Sequence, residues 1–153
     1  MLYLVRHAKA GSRHDWDGDD QLRPLTKSGQ RQATALARQL VRRDATVLVS
    51  SPYTRCVQTL EPLAHLLREP VHTDDRLAEG GDFSGVLELL AALPDGAVLC
   101  SHGDVIPTVI AAMQRRGCEI SGAPDWRKGS VWVLHRDDET QFTSAKAWPP
   151  PEA

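Results

Sequence analysis

Short apolar runs alternate with longer segments of helical periodicity along most of the chain. The predicted strands are 1–5, 46–49, 71–73, 97–100, 131–134 and 140–147, and the predicted helices are 27–43, 52–68, 83–93 and 104–116. This order predicts an α/β fold, a three-layer sandwich with a mostly parallel central sheet. With no repeat or linker, we expect one domain over residues 1–148 and a Pro-rich tail at 149–153.

The helix starts carry local signals. Thr26 is a predicted N-cap for the first long helix, and Ser51 with Pro52 at the first helical position is predicted to open the second. Arg55 then falls in the first turn of that helix. Free backbone N–H groups and the positive end of the helix dipole favour an anion at such a place.

Polar residues also follow the other buried strands, at the edge where α/β sheets carry their working sites. Arg6 and His7 follow the first strand, and His102 follows the strand at 97–100. Together with Arg55, they bring two guanidinium groups and two imidazoles to one edge. Such a set indicates a site for phosphate or sulfate. An imidazole there can act as a nucleophile toward phosphorus, and a second can stabilise the transition state.

Composition narrows the function classes. Hydrophobic residues make up 41% and charged residues 25%, which is ordinary for a globular domain. A net charge of −2 argues against a broad nucleic-acid surface, and every apolar run is too short for a membrane span. The three cysteines form no C-x-x-C pair and no signal peptide is recognised, so we expect a cytoplasmic protein with reduced thiols.

Four sequence blocks resemble those of the histidine phosphatase superfamily, whose fold is also called phosphoglycerate mutase-like. They are Arg6-His7-Ala8, the segment Leu25–Ala33 with its L-T-x-x-G-x-x-Q-A pattern, Ser50-Ser51-Pro52 through Arg55 with Gln58-Thr59, and Ser101-His102-Gly103. The resemblance implies that His7 is the phosphorylated nucleophile. It also implies that Arg6, Arg55 and His102 hold the phosphoryl oxygens, with no metal ion and no cofactor.

Within the superfamily, the chain is most similar to short SixA-like phosphohistidine phosphatases, which share its size and Arg23-Pro24-Leu25-Thr26. It also resembles the phosphatase domain appended to some Nudix hydrolases, on the segment 127–130 before a Val-Trp-Val strand. No Nudix box is present. The partner expected from these resemblances is a phosphorylated substrate: a phosphohistidine protein, a nucleotide or a small metabolite.

Other candidate residues rest on position alone. Glu79 is the best positional match to the family's proton donor, with Asp82 and Asp104 as lesser candidates. Arg23 and Lys128 are candidates for substrate contact, with surface charge as the alternative. In the nucleotide interpretation, Arg127 and Lys128 would contact a second phosphate or a base.

Alternative chemistries lack their motifs. The acidic run Asp15, Asp17, Asp19 and Asp20 lacks a full EF-hand loop, which favours a solvated loop over a metal site. No cysteine is followed by an arginine at the spacing of cysteine phosphatases, and there is no Walker A loop or G-x-S-x-G elbow. A chain without long insertions favours a phosphatase over a mutase. The remaining alternatives are a nucleotide phosphatase and a non-catalytic phosphate-binding module.

Overall fold

A seven-stranded sheet with helices on both faces forms the core of the computed structural model, which describes residues 1–152. The strands are β1 (Leu2–Arg6), β2 (Leu48–Ser50), β3 (Val71–Thr73), β4 (Val98–Ser101), β5 (Glu119–Ser121), β6 (Val131–Arg136) and β7 (Phe142–Trp148). The helices are α1 (Lys27–Leu40), α2 (Thr54–Leu67), α3 (Phe83–Ala92) and α4 (Ile106–Arg115), with 3₁₀ turns at Asp20–Leu22, Val41–Arg43 and Asp75–Leu77.

The strand order is β3-β2-β4-β1-β6-β7-β5. Neighbouring strands pair in parallel except where β6 meets β1 and β7, so β6 alone runs against the others. The predicted mostly parallel α/β sandwich is therefore confirmed. None of the described helices combines the length and apolar character required to cross a membrane.

Alternate residues of β1 explain the three layers. Leu2 and Leu4 pack in a buried cluster with α3 and α4, while Tyr3 and Val5 pack on the opposite face with α1 and α2. Since successive side chains of a strand point to opposite faces, an unbroken apolar strand is buried on both sides. The sheet is thereby held rigidly beneath the loops at its carboxyl edge.

One predicted helix start is confirmed and the other is wrong. Thr26 Oγ1 accepts a hydrogen bond from Gly29 N at 3.0 Å, which caps α1. In contrast, α2 begins at Thr54 after Tyr53, which gives no side-chain cap. Ser51 lies two residues before this N-cap position, and its Oγ accepts from Tyr53 N at 3.3 Å and pairs with His102 Nε2 at 2.8 Å. Arg55 still falls in the first helical turn, as predicted.

The reversal of β6 has a consequence for the edge that carries the candidate residues. An antiparallel strand places its amino end where its parallel neighbours place their carboxyl ends. The backbone N–H of Gly129 accordingly contacts the carbonyl oxygens of Arg6 at 3.1 Å and His7 at 3.2 Å. Lys128, next to Gly129, is thus brought to the same edge. The short strand β5 was absent from the sequence prediction.

Candidate active site

A cleft of about 190 Å³ opens at the carboxyl edge of β1, β2 and β4. It is lined by Arg6, His7, Arg13, Arg23, Arg55, Glu79, His102, Gly103, Asp104 and Lys128. Eight of the candidates selected from the sequence therefore lie around one cavity, although they come from segments up to 122 positions apart, whereas Asp82 and Arg127 do not line it. Their placement together is a finding of the structure, whereas their individual chemical roles stay predictions.

His7 is held as a neutral imidazole with one free nitrogen. Its Nδ1 lies 2.8 Å from the carbonyl oxygen of Ala8, which can only accept a hydrogen bond, so Nδ1 carries the proton. Burial lowers the pKa of His7 to about 3, helped by the positive charges of Arg55 and Arg6 and opposed by the bond to Ala8. Its Nε2 thus keeps a lone pair over the working pH range, as a nucleophile requires.

His102 lies beside His7 with a ring-centroid distance of 5.5 Å and is 2% exposed. Its Nε2 pairs with Ser51 Oγ, and its Nδ1 is buried without a partner. When the Ser51 hydroxyl donates to Nε2, the proton of the neutral ring must lie on Nδ1. Ser51 thereby orients His102 so that an N–H can point at an anion. The sequence indicates Ser51 only as a helix cap and does not predict this role.

Arg6 is fixed by its backbone surroundings. Its Nη1 donates to the carbonyl oxygen of Trp126 at 2.6 Å, while its Nε is buried without a partner. Burial lowers the pKa of Arg6, and the charge of Asp104 partly opposes this. A Cβ atom on Gly103 would lie 2.5 Å from Arg6 Cζ, so the position needs glycine for the guanidinium to pack there.

Arg55 is 1% exposed, and its guanidinium donates three hydrogen bonds to Asp20 and Glu79. Its Nη1 donates to the carbonyl oxygen of Asp20 at 2.9 Å and its Nη2 to Asp20 Oδ2 at 3.2 Å, while Nε is buried and unpartnered. The Tyr53 ring lies 4.9 Å from Arg55 Cζ. Tyr53 also packs edge-on against His102, so one ring spaces the two candidate phosphate ligands.

Asp20 corrects the expectation of a fully solvated acidic loop. Besides Arg55, its carboxylate accepts from Arg23 Nε at 2.9 Å and lies 3.5 Å from Arg13 Nε. Partial burial raises the pKa of Asp20, but the bond from Arg23 and the arginine charges outweigh this and lower it. Composition could not reveal this role, because Arg55 reaches Asp20 only through the fold.

Arg23 and Lys128 occupy different positions in the cleft. Arg23 is 6% exposed, and its guanidinium is already bound to Asp20 and to the carbonyl oxygen of Gly11. Lys128 forms no ion pair among the described residues. Burial and the charges of neighbouring arginines lower its pKa. Lys128 is therefore the freer of the two to meet a substrate.

The candidate proton donors are separated by the structure. Glu79 lies at the cleft, where Oε1 accepts from Arg13 Nη2 at 2.7 Å and Oε2 from Arg55 Nη2 at a longer 3.4 Å. Asp104 also lines the cleft and accepts from Gly80 N at 2.8 Å. Asp82 instead caps α3 by accepting from Ser84 N, and it does not line the cleft. The candidates for proton donor that lie at the cleft are therefore Glu79 and Asp104.

Three of the five buried side-chain polar atoms without a partner in the described residues belong to residues that line this one cleft. They are Arg6 Nε, Arg55 Nε and His102 Nδ1. Unpaired buried donors are costly and uncommon, so three on the lining of one cavity indicate a cleft suited to an anionic acceptor. A phosphoryl group has three non-bridging oxygens to accept these bonds. Within residues 1–152, no three His, Cys, Asp or Glu side chains gather in a group able to hold a metal ion.

This α/β fold carries a candidate phosphate-binding cleft at the carboxyl edge of its sheet. The chain belongs to the histidine phosphatase superfamily, since the family model of its branch 1 matches residues 2–92.

Named relatives agree with this family. The chain is 37% identical over 157 residues to the 8-oxo-(d)GTP phosphatase of Mycolicibacterium smegmatis, covering 99% of this chain and 49% of that protein. It is 37% identical over 111 residues to the glucosyl-3-phosphoglycerate phosphatase of Mycolicibacterium vanbaalenii, covering 67% of this chain and 48% of that protein. It thus spans about half the length of these curated relatives.

A solved structure shows the same fold. The protein histidine phosphatase SixA complexed with tungstate aligns with a TM-score of 0.74 and 23% sequence identity. The alignment covers 93% of this chain and 92% of that one. The predicted membership of the histidine phosphatase superfamily is confirmed, and both a SixA structure and an 8-oxo-(d)GTP phosphatase are among its similar proteins.

Proposed function

We propose that this chain hydrolyses terminal phosphoryl groups through a covalent phosphohistidine on His7. The Nε2 lone pair of His7 attacks phosphorus in line, and the bond from phosphorus to the leaving oxygen or nitrogen breaks. Water then attacks phospho-His7, releasing inorganic phosphate and returning the imidazole to its neutral form.

The observation that carries this proposal is the set of unpartnered buried donors on residues that line the cleft together with His7. Arg6 Nε, Arg55 Nε and His102 Nδ1 match in number the three non-bridging oxygens of a phosphoryl group. Two fixed guanidiniums and an oriented imidazole can stabilise the negative charge of the transition state without rearranging when it forms. Buried neutral His7 beside them supplies a nucleophile rather than another cation.

Glu79 is the proposed proton donor to the leaving group. Its contact with Arg55 is long, at 3.4 Å, and a phosphoryl group bound to Arg55 competes for the same guanidinium. Displacement of that contact frees Oε2 to carry a proton toward the leaving oxygen. Asp104, on the same cleft, is the second candidate for this role.

Two substrate classes have support. Phosphohistidine-bearing protein is supported by the fold shared with SixA and by an accessible rim, where Arg13 is 61% exposed and Glu79 30% exposed. A nucleotide is supported by the named activity of the relative from M. smegmatis and by the free Lys128. A kinetic panel with a phosphohistidine peptide, nucleoside mono- and diphosphates and a sugar phosphate separates them by kcat/KM.

The activity itself is tested with 4-nitrophenyl phosphate in the presence of EDTA. We expect turnover that survives chelation, that is abolished in His7→Gln, and that is retained in His72→Gln, because His72 lies exposed on β3. Phosphate binding without turnover in the wild-type chain would instead support a binding module. Turnover that needs a divalent ion would refute the proposed mechanism.

A further inference from the structure

A larger groove adjoins the cleft on the side of Lys128. It encloses about 890 Å³, and Arg6 and Lys128 line both cavities. Lys9, Thr26 and Ser28 line the groove but not the cleft. A ligand whose reacting phosphoryl group occupies the cleft can therefore extend past Lys128 into the groove without leaving the protein surface.

Two of the basic residues that line this groove are lysines without an ion-pair partner among the described residues. Neither Lys9 nor Lys128 forms an ion pair among residues 1–152, and the groove has one lining carboxylate in that range, Glu152. Arg127 also lines the groove but is held by Asp125 through Nε at 3.1 Å and Nη2 at 2.6 Å. In the nucleotide interpretation, Arg127 and Lys128 would contact the second phosphate. Because Arg127 is held by Asp125, Lys9 takes its place beside Lys128 in this inference.

The backbones that carry the two lysines are locked together by one buried side chain. Gln32 is 4% exposed; its Oε1 accepts from Lys9 N at 3.1 Å and its Nε2 donates to the Lys128 carbonyl oxygen at 3.0 Å. A Cβ on Gly129 would lie 2.4 Å from Gln32 Nε2, and one on Gly29 would lie 1.9 Å from the Lys9 carbonyl oxygen. Both glycines permit this close packing.

Electrostatics agree with the geometry. Burial is the first cause that lowers the pKa of Lys128, and the charges of Arg6, Arg23, Arg55 and Lys9 lower it further. Like charges held together with little compensation favour an anion between them. One phosphoryl group in the cleft can compensate Arg6 and Arg55, whereas Lys9 lines the groove and not the cleft.

We infer that the groove is a second anion subsite, formed by Lys9 and Lys128, which binds the phosphate next to the reacting one in an organic diphosphate such as a nucleoside diphosphate. This inference rests on the proposed function, because it takes the cleft at His7 as the site of the terminal phosphoryl group. It adds a substrate class and assigns Lys9 and Gln32, which the family blocks did not single out for substrate contact.

Binding is measured first, without turnover, by titration calorimetry with methylenediphosphonate and with inorganic phosphate. We expect the wild type to bind the diphosphonate about tenfold more tightly than phosphate, from one added charge-assisted contact. In Lys9→Gln this ratio falls toward one, while Lys27→Gln, which changes a lysine outside the groove lining, keeps it. Equal affinity of the wild type for both probes would overturn the inference.

Kinetics provide the second arm, with a nucleoside diphosphate and 4-nitrophenyl phosphate as substrates. Lys9→Gln should raise KM for the diphosphate about tenfold, leave its kcat near the wild-type value, and change the aryl phosphate KM less than twofold. Gln32→Ala should show the same selective rise in KM, because it frees both lysine backbones. Gln32→Glu should also show this rise, because a carboxylate cannot donate to the Lys128 carbonyl oxygen. A similar loss on both substrates would overturn the subsite, whereas failure of the proposed function appears as no turnover of either substrate.

Discussion

Burial of His7 makes the stability of the chain depend on pH in a way that one substitution can remove. The native imidazole, with a pKa of about 3, stays neutral where the unfolded one, with an ordinary pKa of about 6.5, becomes charged. Acid therefore favours the unfolded chain. The penalty is absent above pH 6.5, grows as the pH falls and levels off near pH 3.

The expected size follows from the two pKa values. Between pH 8 and pH 5, the unfolded chain takes up nearly one proton at His7 that the native chain does not. Linkage converts this into a loss of about 2 kcal/mol in the free energy of unfolding. Carboxylates with lowered pKa, such as Asp20 and Asp125, titrate mainly below this window, and they affect the wild type and its variants equally.

The assay is urea unfolding followed by circular dichroism at pH 8, 6.5 and 5, with the wild type, His7→Gln and His72→Gln compared. His7→Gln should lose about 2 kcal/mol less than the wild type between pH 8 and pH 5, since its amide does not titrate. His72→Gln, which removes an exposed histidine, should follow the wild type. Parallel pH dependence of the wild type and His7→Gln would refute the buried neutral imidazole.

Three further predictions concern catalysis. Arg55→Lys should lower kcat/KM by about 100-fold or more, because a lysine cannot reproduce the Nε donor. A loss below fivefold would show that Arg55 is not a phosphate ligand. Gly103→Ala should raise the inhibition constant of inorganic phosphate about tenfold by displacing Arg6, whereas Gly11→Ala, whose Cβ meets nothing within 4 Å, should leave it unchanged. Glu79→Gln should slow alkyl phosphates far more than 4-nitrophenyl phosphate, whose leaving group needs little protonation; equal effects would transfer the role to Asp104.

The sequence allowed a candidate residue to be placed at the cleft where that residue follows a strand directly. Arg6, His7 and His102 come immediately after buried apolar runs, so the parallel sheet alone brings them to one edge. Arg55 was placed because it lies within one helical turn of such a strand. These positions depend on local pattern and on the handedness and order of α/β folds, which vary little.

Prediction failed where a role depends on a partner distant in the chain. Ser51 has the local pattern of a helix cap, yet its hydroxyl is taken by His102, 51 positions later. Asp20 has the composition of a solvated loop, yet it meets Arg55. Lys128 was a candidate from the sequence and lines the cleft, but the antiparallel direction of β6 that places it there is not specified by the apolar pattern of the strand.

The phosphoenzyme is the most direct test of the account as a whole. Wild-type protein mixed with ³²P-labelled substrate and quenched in alkali within milliseconds should carry one labelled phosphoryl group, stable to base and labile to acid, that peptide mapping places on His7. His7→Gln should carry none, and Arg55→Lys should accumulate it more slowly. A wild-type chain that turns over substrate without label on His7, or with label on another residue, would contradict the central role of His7.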